Sequence, residues 1–191
     1  MTIPFPQPVC RLIDRIDRAG YQVYGVGGAI RDLLLGREPK DWDLCTNALP
    51  QQVKAVFGED AVRLTGARHG TVTVLWEGRS YEVTTYRQDG PYSDGRRPDQ
   101  VRFVTSIQED LARRDFTINA MACRPGEPVV DPFGGREDLA AGLVRAVGDP
   151  VRRFQEDGLR MVRALRFAAA YGFQIEEATG RAAEELSFRL E

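Results

Sequence analysis

After a proline-rich start, apolar positions recur at helical spacing: Leu12, Ile13 and Ile16 share one side of residues 9–19, charges hold the other, and Gly20 closes the run. A strand is expected from Gln22 to Val26. Its end, Gly25-Val26-Gly27-Gly28, passes directly into a helical pattern of Ala29, Ile30, Leu33, Leu34 and Leu35, with Gly36 at the C′ position. Asp41-Trp42-Asp43-Leu44-Cys45 alternates polar and apolar, which predicts a half-buried strand with both aspartates on one face and Trp42 and Leu44 turned inward. Thr46 or Asn47 offers an N-cap, and Pro50 an early helical position, for a helix with Val53, Val56 and Phe57 on its apolar stripe. Residues 70–76 and 80–86, rich in β-branched and aromatic side chains, predict a hairpin turning at Glu77-Gly78-Arg79.

The second half reads less regularly. Residues 87–99 have Gly, Pro, Ser, Asp and paired arginines without a period and predict a mobile loop. Ser106 and Glu109 have the form of a capping box. Val129 and Val130 lead as a strand into a tight turn at Asp131-Pro132-Phe133-Gly134-Gly135, followed by a short helix to Gly142 and a last strand from Leu143 to Val147. Asp149-Pro150 starts a helix expected to run to Gly172, with Phe154, Met161, Val162, Leu165, Ala168 and Ala169 as packing positions; residues 182–191 read as helical again.

Two of these patterns carry chemistry. Glycines before a helix let backbone N–H groups approach an anion, and Arg31 in the first turn adds a fork of donors suited to phosphate oxygens. Two carboxylates on one strand face repel unless a cation joins them, and oxygen ligands suit Mg²⁺ bridging protein carboxylates and substrate phosphates. Taken singly, each is also compatible with a tight strand-to-helix turn or a solvated strand face. A dinucleotide fingerprint is excluded by Ile30, and no G-K-[ST] of a P-loop occurs. Glu82, on the second hairpin strand, is a third carboxylate for this site if the strands are neighbours, or else an exposed strand residue. Asp157 and Arg160 share a helical face, as do Arg160 and Arg163, while Arg166 lies well round from Asp157; such a stripe by itself is most simply a solvated face. His69, the only histidine, has no partner in the pattern and receives no role.

The motif GGAIRDLLLG followed by KDWDL closely resembles the active-site signature of the bacterial-type (class II) tRNA nucleotidyltransferases and their relatives, the bacterial poly(A) polymerases. RRDFTINAMA resembles the second signature of that family, and EDGLRMVRALRF its EDxxR signature, while DPFGG matches a motif that is structural there. The resemblance implies an α+β fold: a nucleotidyltransferase head of the polymerase β kind, with a small mixed sheet flanked by helices, over residues 1–149. From 150 to 191 it implies the start of an all-helical neck bearing a base-selecting helix, with body and tail domains expected to follow.

The implied function is addition of CCA, or its terminal A, to the tRNA 3′ end from CTP and ATP without a nucleic-acid template. An A-adding-only enzyme or a bacterial poly(A) polymerase shares the same residues, and a non-catalytic nucleotide- or RNA-binding module is the alternative of another class. In the family the loop at 87–99 serves the switch from adding C to adding A, and its full length here argues against C addition alone. The resemblance assigns two Mg²⁺ ions to Asp41 and Asp43 as catalytic residues, and the phosphates to Gly27, Gly28 and Arg31. It makes Arg114 a nucleotide contact steadied by Asp115, with Asn119 packing or reaching the ribose. Asp157 and Arg160 would read the base by its Watson–Crick edge, and Arg163 and Arg166 would serve the phosphates or stiffen that template.

Composition bounds these expectations. The 191 residues are 42% hydrophobic and 28% charged, ordinary for a globular chain. A net charge of −2 confines any RNA contact to a local patch, and among 26 basic residues only Lys40 and Lys54 are lysines. Cys10, Cys45 and Cys123 make no zinc spacing and read as reduced thiols. With no signal-like start and no membrane-length apolar run, a cytoplasmic location is expected.

Overall fold

A computed structural model describes residues 3–93, 95, 96 and 98–190. Asp94 and Arg97 of the predicted loop, and Glu191 of the last predicted helix, lie outside the described residues. In chain order the elements are α1 (Gln7–Arg18), β1 (Val23–Val26), α2 (Gly28–Leu34), β2 (Asp43–Thr46), α3 (Pro50–Phe57), β3 (Val62–Arg63), β4 (Thr71–Trp76), β5 (Arg79–Thr85), β6 (Arg87–Asp89) and β7 (Val101–Phe103). There follow α4 (Ile107–Ala112), β8 (Ala122–Cys123), α5 (Gly135–Ala141), β9 (Leu143–Val144), α6 (Pro150–Glu156), α7 (Leu159–Tyr171), β10 (Gln174–Ile175) and α8 (Glu177–Glu185).

Six strands form one mixed sheet in the order β3-β4-β5-β2-β1-β8. β2 runs antiparallel to β1 and parallel to β5, so the expected small mixed sheet is present. Val26 pairs with Asp43, and Asp43 with Glu82. Three neighbouring strands therefore bring the glycine turn and two carboxylates to one place. β4 and β5 are joined by Glu77-Gly78, both at positive φ (49° and 75°), the geometry that a two-residue hairpin loop requires. The alternation at 41–44 holds, with Trp42 and Leu44 buried and both aspartates exposed, although β2 begins only at Asp43 and Asp41 occupies the bend before it.

One face of the sheet packs on α1 through Leu12, Ile13 and Ile16, with Trp42, Leu44, Val72 and Val83 in the same core. A second core joins Ile30, Phe116, Ile118 and Met121 to Phe154, Met161, Phe167 and Ala182, and so crosses the Asp149–Pro150 junction. Gly135 shows why the DPFGG turn takes a glycine: a Cβ there would lie 2.2 Å from the Thr117 carbonyl oxygen.

Several expectations are corrected. The helix foreseen over 150–172 breaks at Asp157-Gly158, giving α6 and α7. Asp157 is extended (φ −146°, ψ 105°) and its Oδ1 accepts from the Leu159 N–H at 2.9 Å, while the Gly158 N–H donates to the Gly95 carbonyl at 3.1 Å. The break resets the helical phase, so α7 packs through Met161, Ala164 and Phe167, leaving Val162 and Leu165 47% and 62% exposed. The segment after 150 is not all helical: the chain reverses at Gly172 (φ 69°), and β10 pairs in parallel with β9. Ser106 precedes α4 but makes no capping bond; its hydroxyl meets Gln108 at 2.8 Å. Leu49, not Thr46 or Asn47, precedes α3, because Thr46 is held in β2 and Asn47 accepts from the Gln22 N–H. The Asp149 cap and the Pro150 start form as foreseen.

Candidate active site

A cavity of about 570 Å³ opens where α2, the segment before β2 and the start of β2 meet α7. Gly28 and Arg31 line it with Asp41 and Asp43, and α7 contributes Arg166, Phe167 and Tyr171. The two acids and the arginine-bearing helix thus border one space. Gly27 has φ 66° and ψ −126°, and a Cβ there would meet Arg114 Nη1 at 3.1 Å, so the turn is shaped for glycine with an arginine directly above it. The Gly27 N–H is already engaged by the Met121 carbonyl at 3.2 Å.

The Asp41 and Asp43 carboxylates take no hydrogen bond or ion pair among the described residues. Although Asp43 counts as exposed over the whole residue, the surrounding protein partly desolvates its carboxyl and raises its pKa above the ordinary aspartate value. Arg114 opposes that shift, and the charges of Glu82 and Asp41 add to it. Glu82 is exposed, and Thr73 Oγ1 donates to it at 3.2 Å. Among the described residues no group of three or more His, Cys, Asp or Glu stands close enough to hold an ion, so Glu82 neighbours the pair without completing a protein-only metal cage. Two unpaired hard-oxygen ligands facing an open cavity do fit Mg²⁺, which ordinarily takes one or two carboxylates and completes its shell from substrate and water.

The arginines are bound to partners that the local spacing only partly indicates. Arg114 pairs with the fully buried Asp110 at 3.1 Å, and Arg113 with the same carboxylate at 2.8 Å. Burial works against the charge on Asp110, yet these two guanidiniums hold its pKa below the ordinary range. Asp115, expected to steady Arg114, instead accepts from Arg163 at 2.8 and 2.6 Å and from Asn119 Nδ2 at 3.1 Å. Asn119 is buried, and its Oδ1 accepts from Arg31 at 2.6 Å; this consumes its polar group within the wall. Arg31 is only 6% exposed, donates also to Asp32 at 2.9 and 3.0 Å, and lies against the Phe167 and Tyr171 rings.

Asp157 and Arg160 do not line this cavity. Arg160 is about 9 Å along α7 from Arg166, six residues at helical rise. It is buried, donates to Glu156 at 2.8 Å, and reaches the Tyr92 hydroxyl at 3.5 Å and the Arg113 carbonyl at 3.4 Å. Asp157 keeps Oδ2 without a hydrogen bond among the described residues. Arg166 is exposed and stacks on Phe167. Sequence reasoning missed Asp110, Asp32, Glu156, Tyr92 and Tyr171. Asp110 was detectable three and four residues before its arginines; Tyr171, 139 positions from Asp32, had no local signal. His69 closes a 3₁₀ turn, where its carbonyl accepts from Arg87. The cysteines are free thiols, with Cys45 and Cys123 buried. No helix among the described residues is long and apolar enough to cross a membrane.

The profile of the family described as "Poly A polymerase head domain" matches residues 23–145. A CCA-adding enzyme of Geobacillus thermodenitrificans is 50% identical over 182 residues, 95% of this chain and 44% of that protein. The structure of the Bacillus stearothermophilus CCA-adding enzyme in complex with CTP superposes with a TM-score of 0.84 at 45% identity, over 92% of this chain and 42% of the other. The Thermotoga maritima CCA-adding enzyme complexed with tRNA matches with a TM-score of 0.75 at 28% identity, over 94% of this chain and 41% of that one. The chain thus spans less than half the length of these relatives.

Proposed function

The chain belongs to the poly(A) polymerase head-domain family, and from that premise we propose that it is the catalytic part of a tRNA nucleotidyltransferase that adds CCA, or its terminal A, from CTP and ATP. The observation that carries this reading is the shared cavity: two unpaired aspartates on one wall and an arginine-bearing helix on the other. Its relatives' names and their CTP and tRNA complexes support the substrate class.

In this reading Asp41 and Asp43 hold the Mg²⁺ ions. When bound there, Mg²⁺ supplies positive charge that offsets the repulsion among the acids and the triphosphate and activates the primer hydroxyl. The protein's own groups position the reactants. Arg114, above the Gly27 turn, faces the phosphates with Gly28 and Arg31. The primer 3′ hydroxyl gives up its proton to solvent as its oxygen attacks the α-phosphorus in line, the bond from that phosphorus to the α,β-bridging oxygen breaks, and pyrophosphate leaves. Asp157 Oδ2 accepts from the exocyclic amine that C and A share. U and G present a carbonyl there and leave two acceptors facing each other, a mismatch worth about 1–3 kcal/mol. Arg160, oriented by Glu156, donates to the ring nitrogen or carbonyl of the base.

Replacing Asp41 or Asp43 by alanine is expected to lower CTP and ATP incorporation into tRNA by about a thousandfold or more while the circular dichroism spectrum is kept. Wild-type turnover in either variant overturns the assignment. Supplying tRNAs that end before, within and after CC with one nucleotide at a time separates CCA addition from A addition and from poly(A) synthesis.

A further inference from the structure

Resting on the nucleotide-binding reading above, the geometry points to Tyr171 and Asp32 as positioning residues: a latch that sets Arg31 at the phosphate end of the cavity and ties it to the base-selecting helix. The Tyr171 hydroxyl, at the C-terminal end of α7, donates to Asp32 Oδ1 at 3.0 Å. The same oxygen accepts Nε and Nη2 of Arg31 at 3.0 and 2.9 Å. The opposite edge of Arg31 donates through Nη1 to Asn119 at 2.6 Å, and Asn119 continues through Asp115 to Arg163, back on α7. The circuit therefore leaves α7 at Tyr171 and returns to it two turns earlier at Arg163. Phe167 lies between the two ends, with the guanidiniums of Arg31 and Arg163 at 5.1 and 5.4 Å from its ring.

The position of Arg31 follows from this arrangement. Its guanidinium stands over the Tyr171 ring at 4.7 Å and is bonded on both edges, so its orientation is imposed by its neighbours and not by its own flexible stem. Three of its five N–H bonds go to Asp32 and Asn119 among the described residues, and a Cβ at Gly28 would be 3.5 Å from Nη2, which sets that edge beside the glycine turn. Removing the Tyr171 hydroxyl leaves the ring stacked but frees Asp32 to turn, and Arg31 with it. The latch thereby keeps the phosphate end and the base end of a nucleotide on one rigid frame.

Titration calorimetry of the whole 191-residue chain with Mg²⁺ and CTP, ATP or inorganic triphosphate tests this. Tyr171→Phe and Asp32→Ala are each expected to weaken all three ligands by about three- to tenfold, the net scale of one ordinary hydrogen bond. The double variant should bind no more weakly than Asp32→Ala, because both act through one contact. The unfolding temperature of unliganded Tyr171→Phe stays within about two degrees of wild type, which a merely structural role would not allow. Unchanged affinities in Tyr171→Phe, or losses that multiply in the double variant, overturn the latch while leaving the nucleotide site intact. A wild-type chain that binds none of the three ligands overturns the nucleotide reading itself, and the latch with it.

Discussion

Asp43 sits in conflict with its surroundings, and that conflict has a measurable sign. Desolvation raises its folded-state pKa, with Glu82 and Asp41 adding and Arg114 opposing. An acid with a raised folded pKa contributes stability that is present below its unfolded value, near 4, and is lost as pH rises through the folded value. At pH 7 the ionised carboxylate is therefore a net cost. Asp43→Asn is expected to unfold at a higher temperature than wild type at pH 7, with the gain vanishing below about pH 4, while incorporation activity is lost. Differential scanning fluorimetry across that range reads the effect; a variant destabilised at neutral pH would mean that Asp43 serves structure. Asp115 teaches a related lesson: it neighbours Arg113 and Arg114 in the chain, yet its carboxylate meets Arg163.

Secondary-structure elements hold the site through a few stringent local features. Asp149 caps α6 with a 2.9 Å bond to the Val151 N–H. Asp149→Ala should cost about 1 kcal/mol, a fall of roughly 2–4 °C in unfolding temperature for a chain of this size. Gly135 admits no side chain, since a Cβ would sit 2.2 Å from a carbonyl oxygen. Gly135→Ala is expected to destabilise by about 3 kcal/mol or to yield insoluble protein, checked by soluble yield and chemical denaturation. These features were readable as Asp-Pro and Gly-Gly pairs. The break at Asp157-Gly158 was not, because the apolar spacing on either side imitates one continuous helix. At the break the Gly158 N–H donates to the carbonyl of a residue 63 positions away, Gly95.

At the scale of the molecule, one core joins the sheet-bearing half to the helices after 150. Phe154, Met161, Phe167 and Ala182 share it with Ile30, Phe116 and Met121. Backbone bonds at the ends of the β9–β10 pair add to it, from the Gln174 N–H to the Gly142 carbonyl at 2.8 Å and from the Glu176 N–H to the Val144 carbonyl at 3.0 Å. A chain ended after Asp149 would expose those faces, each large side chain losing about 1.5–3 kcal/mol of burial. It is expected to lack dispersed amide resonances in an NMR spectrum, where the full chain shows them. A well-dispersed spectrum of residues 1–149 would show instead that the first part folds alone.

Local periodicity and turn chemistry were enough to place α1, the glycine turn, the paired aspartates, the hairpin and the Asp149-Pro150 start, because each depends on residues a few positions apart. They also established that Asp41 and Asp43 face away from Trp42 and Leu44. Partner choice needed the tertiary structure: Arg163 finds Asp115 across 48 positions, and Tyr171 finds Asp32 across 139. A sequence period tells which face of one element a side chain occupies. Which charge it meets there depends on how separate elements pack, and that is set by the shared core and not by any spacing along the chain.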